Sequence, residues 1–241
     1  MKILAFDTSG DCCSAALLIG DRLEQCREQA PRRHADLILG MLDALLRGAS
    51  LTPKQLDAIA YGRGPGSFTG VRIAAAVAQG LAFGAERPVI SVSTLAAVAR
   101  AAFRESGQRQ IACALDARMG EVYWGCYRIG EHKDATPIDE ETVIAPDLTP
   151  ALPGAGWCGA GSGWAAYPAL MSRHQSALLA ASSHPHETAQ RLVLPGIGPL
   201  AEDIAWEALR MVDQAQHADQ AVPTYLRNQV THVSHKRAAN A

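Results

Sequence analysis

The eleven residues Gly62-Arg63-Gly64-Pro65-Gly66-Ser67-Phe68-Thr69-Gly70-Val71-Arg72 restrict the fold more than any other segment of the chain. Gly62, Gly64 and Gly66 permit positive φ without a Cβ penalty, Pro65 stiffens the turn, and Thr69 is placed to cap the apolar run that starts at Val71. Such a loop delivers a strand into a closely packed helix, whose N-terminus can receive an anion or another protein's backbone. Two phosphate motifs are excluded. Walker A needs Gly-Lys-Ser/Thr, and a G-x-G-x-x-G register beginning at Gly62 or Gly64 meets Ser67 or Thr69 where its third glycine belongs. A tight strand-to-helix turn is the plain structural alternative to anion binding.

The N-terminus supplies a second constraint. Ile3 to Asp7 reads as a buried strand, Thr8 to Asp11 as a turn and Cys13 to Ile19 as a returning strand, so an aspartate ends the first arm of a hairpin. A third strand over Leu23–Gln29 follows, then a helix over His34–Arg47 with Leu37, Ile38, Met41, Leu42, Leu45 and Leu46 at helical spacing. Leu56–Tyr61 is a strand, Val71–Phe83 a helix rich in alanine and glycine, Pro88–Val92 a buried strand, and Ser93-Thr94 caps a helix through Phe103. Strands over Gln110–Leu115 and Glu121–Arg128, joined by Asp116-Ala117-Arg118-Met119-Gly120, repeat the aspartate-ended hairpin. The alternation predicts a first α/β lobe over 1–105 and a second over 106–215, with a last helix over Leu200–Gln214 and a C-terminal segment over 216–241 whose end is polar and frayed. Gly130–Pro153 reads as a connecting region with one strand.

Composition narrows the class. A chain of 241 residues buries on the order of 70% of its unfolded surface on folding. With 48% hydrophobic residues, a net charge of −2 and a pI near 6.4, the expectation is a globular cytoplasmic protein that grips neither membrane nor nucleic acid on its own. Met1-Lys2 runs directly into a strand, so no signal peptide is expected. The six cysteines contain no C-x-x-C pair, and Cys12-Cys13, on opposite faces of a strand, are poorly placed to pair.

Five ordered motifs then combine. The Asp7-Thr8-Ser9 tip, the Gly64-Pro65-Gly66-Ser67-Phe68-Thr69-Gly70 loop, Arg33-His34-Ala35-Asp36-Leu37, Ala114-Leu115-Asp116-Ala117-Arg118-Met119-Gly120-Glu121 and Pro223-Thr224-Tyr225-Leu226-Arg227 together resemble the TsaB (YeaZ) family of bacterial tRNA-modification proteins. The resemblance implies a two-lobed α/β fold like that of actin, sugar kinases and the heat-shock ATPases, with a duplicated hairpin in each lobe, the last helix returning to the first. It further implies a non-catalytic partner of a TsaD-like protein. With a TsaE-like ATPase, that pair forms threonylcarbamoyladenosine beside the tRNA anticodon; by the same resemblance the chain is expected to meet tRNA only indirectly and to be a homodimer when alone.

Residues agree that the chain is not an enzyme by itself. Catalytic relatives carry a His-x-x-x-His metal pair on the first helix, whereas His34 is followed at that spacing by Ile38, so no metal site is expected and His34 reads as a surface residue. His184, His186, His232 and His235 read as solvated. Asp7, Thr8, Ser9 and Asp116 hold degenerate phosphate-loop positions, and the two aspartates accept hydrogen bonds from their own turns in the simpler reading. Gly159-Ala160-Gly161-Ser162-Gly163 departs from the Gly-Gly-x-x-x-Asn of catalytic relatives. No cofactor is expected, beyond weak or interface-dependent ATP or ADP binding. The competing readings are a stand-alone nucleotide-dependent transferase or kinase and a metallopeptidase relative. For the partner interface the expected residues are Leu37, Ile38, Met41, Leu45, Ala74, Ala75, Ala78 and Leu81. The signature loop with Arg72 is expected to set the approach of the second helix and to present Phe68.

Overall fold

The computed structural model describes residues 1–178 and 192–227. In chain order the elements are β1 (Lys2–Asp7), β2 (Cys12–Ile19), β3 (Arg22–Gln29), α1 (His34–Gly48), β4 (Ala58–Gly62), α2 (Phe68–Ala85), β5 (Val89–Val92) and α3 (Thr94–Ser106). Then come β6 (Gln110–Arg118), β7 (Glu121–Ile129), β8 (Ala135–Pro137), β9 (Thr142–Ile144), β10 (Trp157–Ala160), α4 (Gly163–Ala166), α5 (Pro168–His174), β11 (Val193–Leu194) and α6 (Ala201–Arg210).

The two sheets are built to one plan. The first runs β3-β2-β1-β4-β5 and the second β11-β10-β6-β7-β8, so reversing either order superposes hairpin on hairpin and parallel pair on parallel pair. In each, a central strand (β1 or β6) pairs antiparallel with the next strand and parallel with the later one. β9 is a further short strand on β7, so the region 130–153 holds two strands where one is expected.

Strand periodicity decides which helix covers which face. Leu4 and Phe6 of β1 share a core with Leu17, Ile59, Ile38 and Leu42 of α1, and Ala74 and Ala78 of α2. Their neighbours Ile3 and Ala5 face the other way, against Ile204, Ala205 and Ala208 of α6. A strand apolar on both faces is therefore required, and Ile3-Leu4-Ala5-Phe6 is one. Burying Ile204 alone contributes on the order of 1.5–3 kcal/mol to holding the last helix on the first lobe's sheet.

The helices cross over between the lobes. Leu95, Val98, Ala99 and Ala102 of α3 pack on Ile111, Cys113, Tyr127 and Cys158 of the second sheet, while α6 covers the first. Where α3 meets α6, Arg104 reaches Asp203 at 3.1 Å and Arg100 reaches Glu207 at 3.6 Å. Burial pushes the Asp203 carboxyl up to about 6 and that of Glu207 to about 7, against the pull of these arginines.

Helix boundaries differ from the sequence reading. α2 starts at Phe68, because extended Ser67, and not Thr69, accepts the Gly70 N–H through its hydroxyl (3.4 Å); Thr69 is exposed within the first turn. The last helix stops at Arg210, and Val212–Gln214 is a separate 3-10 turn. α2 also has the length and apolarity of a membrane span, 18 residues at mean hydropathy 1.3, yet Ala74, Ala75, Ala78 and Ala82 are spent against the first lobe's core. The expected fraying of 228–241 and the histidines at 184, 186, 232 and 235 lie outside the described residues.

Candidate functional site

The first hairpin tip is sealed by the glycine loop. Asp7 is fully buried, and its Oδ1 accepts both the Ser9 N–H and the Ser9 hydroxyl at 2.9 Å. Burial pushes its carboxyl up to about 6, opposed by the bonds from Ser9 and by the Gly10 N–H. The Thr8 hydroxyl donates to the Gly70 carbonyl at 2.7 Å, and the Ser67 N–H donates to the Ser9 carbonyl at 2.8 Å.

Close approach, more than backbone handedness, explains these glycines. A Cβ on Gly62 would stand 1.9 Å from Asp7 Oδ2, one on Gly66 2.8 Å from Ser9 Cβ, and one on Gly70 2.0 Å from the Thr8 carbonyl oxygen. Of the three glycines expected at positive φ, only Gly64 (φ +100°) has it. The peptide bond between Gly64 and Pro65 is cis. Asp7, Thr8 and Ser9 thus spend these hydrogen bonds on one another and on the glycine loop.

The second tip is built alike and covered differently. Asp116 Oδ1 accepts the Arg118 N–H at 2.8 Å, the same bond to residue i+2 that Asp7 makes, and also the Tyr167 hydroxyl at 2.9 Å. Its other oxygen lies 2.9 Å from the Arg118 guanidinium. Behind it, Gly161 (φ +105°) passes so close that a Cβ would stand 2.4 Å from the Ala114 carbonyl oxygen. Gly161 and Gly163 therefore serve packing against β6, and Gly159 makes room for the Trp164 ring.

A third component escaped the sequence reading as a site. The C-terminal motif lies across both signature segments: Arg63 donates to the Thr224 hydroxyl at 2.8 Å, Arg72 Nε donates to the Tyr225 hydroxyl at 2.8 Å, and Arg227 pairs with Glu121. Arg72 lies 3.5 Å over the exposed Phe68 ring. Beneath, Glu141 accepts from Ser93 and Tyr127 and stands 3.4 Å from Arg63, tying the lobes together.

The two helices expected at a partner interface are oriented differently from expectation. Ile38, Leu45, Ala74, Ala75 and Ala78 are buried in the first lobe's own core, and Leu37, Met41 and Leu81 are half-buried against it. The sheet needs these residues. The outward strip consists instead of Leu39, Gly40 and Ala44 on α1 and Ala76, Gly80, Phe83 and Gly84 on α2. Phe83 is 77% exposed and Leu39 55%, and a Cβ on Gly40, Gly80 or Gly84 would meet nothing within 4 Å. His34 is also corrected: it is buried where α1 starts beside Cys13, and its Nε2 has no hydrogen-bond partner among the described residues. Among those residues no three His, Cys, Asp or Glu side chains converge to hold a metal.

The chain is similar to known proteins. A family model described as TsaD: tRNA N6-adenosine threonylcarbamoyltransferase matches residues 27–153. Over 236 residues the chain is 39% identical to the tRNA threonylcarbamoyladenosine biosynthesis protein TsaB of Escherichia coli K12, covering 95% of this chain and 96% of that protein. The chain belongs to the TsaB (YeaZ) family. Similarity to the Haemophilus influenzae TsaB is 37% over 248 residues, with 96% and 95% covered. The structure of YeaZ from Pseudomonas aeruginosa superposes with a TM-score of 0.81 at 40% identity, over 93% of this chain and 99% of that one. The two sheets form the two-lobed α/β fold that the TsaB motifs imply, and that fold is shared with this YeaZ structure.

Proposed function

We propose that this TsaB-family chain is a non-catalytic partner and activator of a TsaD-like protein in forming threonylcarbamoyladenosine next to the tRNA anticodon. The observation that carries the reading is the sealed first tip: Gly66 and Gly70 lie directly on Ser9 and Thr8, while the α1–α2 strip stays open. A group that transferred phosphoryl or acyl units would need those turn donors free for the substrate's charge. Here Asp7, Thr8 and Ser9 hold the loop that starts α2, so they act on the angle of the partner-binding helix.

The open strip is the docking surface in this reading. Small residues at 76, 80 and 84 admit a close helix, Phe83 and Leu39 supply anchors, and a specific contact buries on the order of 1,200–2,000 Å². Alone, the strip pairs with a second copy; the TsaD-like protein replaces that copy, a TsaE-like ATPase joins the pair, and tRNA is met through the complex in the cytoplasm. Isolated chain binds ATP or ADP no better than millimolar.

Reconstitution decides the matter. Threonylcarbamoyl transfer to tRNA by the TsaD-like and TsaE-like proteins should require this chain, and equal transfer without it overturns the reading. Gly80→Glu and Ala76→Glu should abolish co-elution with the TsaD-like protein while changing stability by less than about 0.5 kcal/mol, as exposed positions do. Micromolar nucleotide affinity lost on Arg72→Ala would favour the transferase alternative.

A further inference from the structure

The C-terminal strap does more than close the first lobe. Ala218 and Ala221 lie in that lobe's core, the Tyr61 hydroxyl donates to the Val222 carbonyl at 3.2 Å, and the Thr224 N–H donates to the Arg63 carbonyl at 2.8 Å. Tyr225 ends this attachment on the first turn of α2, at Arg72 and Phe68. Two residues later the chain reaches the other lobe. The Arg227 guanidinium pairs with Glu121, donates to the Arg118 carbonyl at 3.3 Å and lies 3.4 Å from Met119 Sδ.

The hairpin tip it meets is conformationally expensive. Arg118 (φ +61°), Met119 (+57°) and Gly120 (+79°) are three consecutive left-handed residues, two of which carry side chains and cost about 1–2 kcal/mol each. Asp116 holds the Arg118 N–H from within the hairpin. Its carbonyl is held from across the mouth, by Arg227.

We infer that Arg227 is a latch, a positioning residue that fixes the Asp116–Glu121 tip of the second lobe against the strap of the first and thereby sets the mouth between them. The pair is small on the scale of folding, since ion pairs that keep contact with solvent contribute about 0–1 kcal/mol, so it biases a local opening and leaves the fold intact. Since the strap is pinned to the first turn of α2, opening the latch and docking on α2 are thermodynamically linked; this second consequence rests on the partner reading above.

Amide hydrogen exchange on the full chain separates the two statements. Arg227→Gln and Glu121→Gln should each speed exchange at residues 116–122 by roughly fivefold, the double variant should add nothing, and β1 and β4 should keep their protection. Arg227→Lys, which keeps the charge and loses the fork, should fall between parent and Arg227→Gln. Unchanged exchange at the tip, or additive effects in the double variant, overturns the latch. Circular dichroism identifies a variant that has lost its fold, in which case Glu121→Gln carries the test. In titration with the TsaD-like protein, Arg227→Gln should bind about fivefold more weakly; equal affinity with faster tip exchange overturns the linkage and keeps the latch. Failure of the parent chain to bind at all overturns the partner reading, and the exchange result still decides the latch.

Discussion

The two hairpin tips descend from one plan and differ in what closes over them. At each, an aspartate at the strand end (Asp7) or two residues before it (Asp116) accepts the N–H two residues on, and the same parallel pair of strands follows. At the first tip the carboxylate is fully buried, and the chain's own glycine loop presses on its turn. At the second the turn stands open, with Met119 56% exposed, and is held by side chains from elsewhere: Tyr167, Ser162 and Arg227. An Asp-led hairpin therefore specifies a turn and not a task. The task comes from the later segment that the fold brings over it: a helix start in the first lobe, a strap in the second.

The difference is sharpest for glycine substitutions. Gly70→Ala places a methyl group 2.0 Å from the Thr8 carbonyl oxygen, a backbone atom that cannot swing aside, so it should cost about 3 kcal/mol, the upper end for overpacking, and displace α2. The urea midpoint, with near-ultraviolet circular dichroism, measures it. A loss below 1 kcal/mol would mean that the loop does not press on the tip as described.

Next in size is a pH effect confined to the first tip. Folding raises the Asp7 carboxyl from its ordinary 3.8 to about 6, so the folded state takes the proton more readily. The stability this gives is fully present below about pH 3.8 and is lost as pH rises through about 6, a swing of roughly 3 kcal/mol by pH 7. Asp203 and Glu207 pull the same way. His174, pushed down to about 4 by burial between Trp124 and Trp164, pulls the other, its contribution being present above about 6.5 and lost as pH falls. Only a difference isolates Asp7: parent minus Asp7→Asn, from denaturation at pH 4 and pH 7, should favour the parent at the lower pH. A difference independent of pH would show that Asp7 is solvated.

These local features were legible because each depends on neighbours in sequence. The hairpins, the glycine loop and the capping Ser93 follow from turn residues and strand alternation. The orientation of α2 does not. Ala74, Ala75, Ala78 and Ala82 face in while Ala76, Gly80 and Gly84 face out, and a helix small on both sides has no polar face to mark the solvent. Nor could the strap be assigned: Arg63–Thr224 and Arg227–Glu121 join residues more than 100 positions apart. The motif around Tyr225 was visible, but the groups it meets were not. His34 was misplaced for a related reason, since a helix-start histidine is buried or exposed according to the strand packed beside it.

A milder test addresses the second tip alone. Gly120→Ala meets nothing within 4 Å, so its cost is only that of a left-handed alanine at φ +79°, about 1–2 kcal/mol. Against Gly70→Ala it contrasts conformation with contact, and equal losses in urea would erase the distinction drawn between the tips.

Smallest is Asp116→Asn, and it carries the comparison to its end. The neutral amide keeps an oxygen for the Arg118 N–H and the Tyr167 hydroxyl but loses the ion pair with the Arg118 guanidinium, which is 84% exposed. Exposed pairs contribute about 0.2–1 kcal/mol, so the variant should lose less than 1 kcal/mol, and the loss should shrink in 1 M salt. The corresponding change at Asp7 has no arginine to release and a buried oxygen to satisfy, so salt should leave it unaltered. If Asp116→Asn instead abolished threonylcarbamoyl transfer in the reconstituted system while remaining folded and bound to the TsaD-like protein, the second tip would be a working part of the reaction, and the reading of both aspartates as turn residues would hold for the first lobe only.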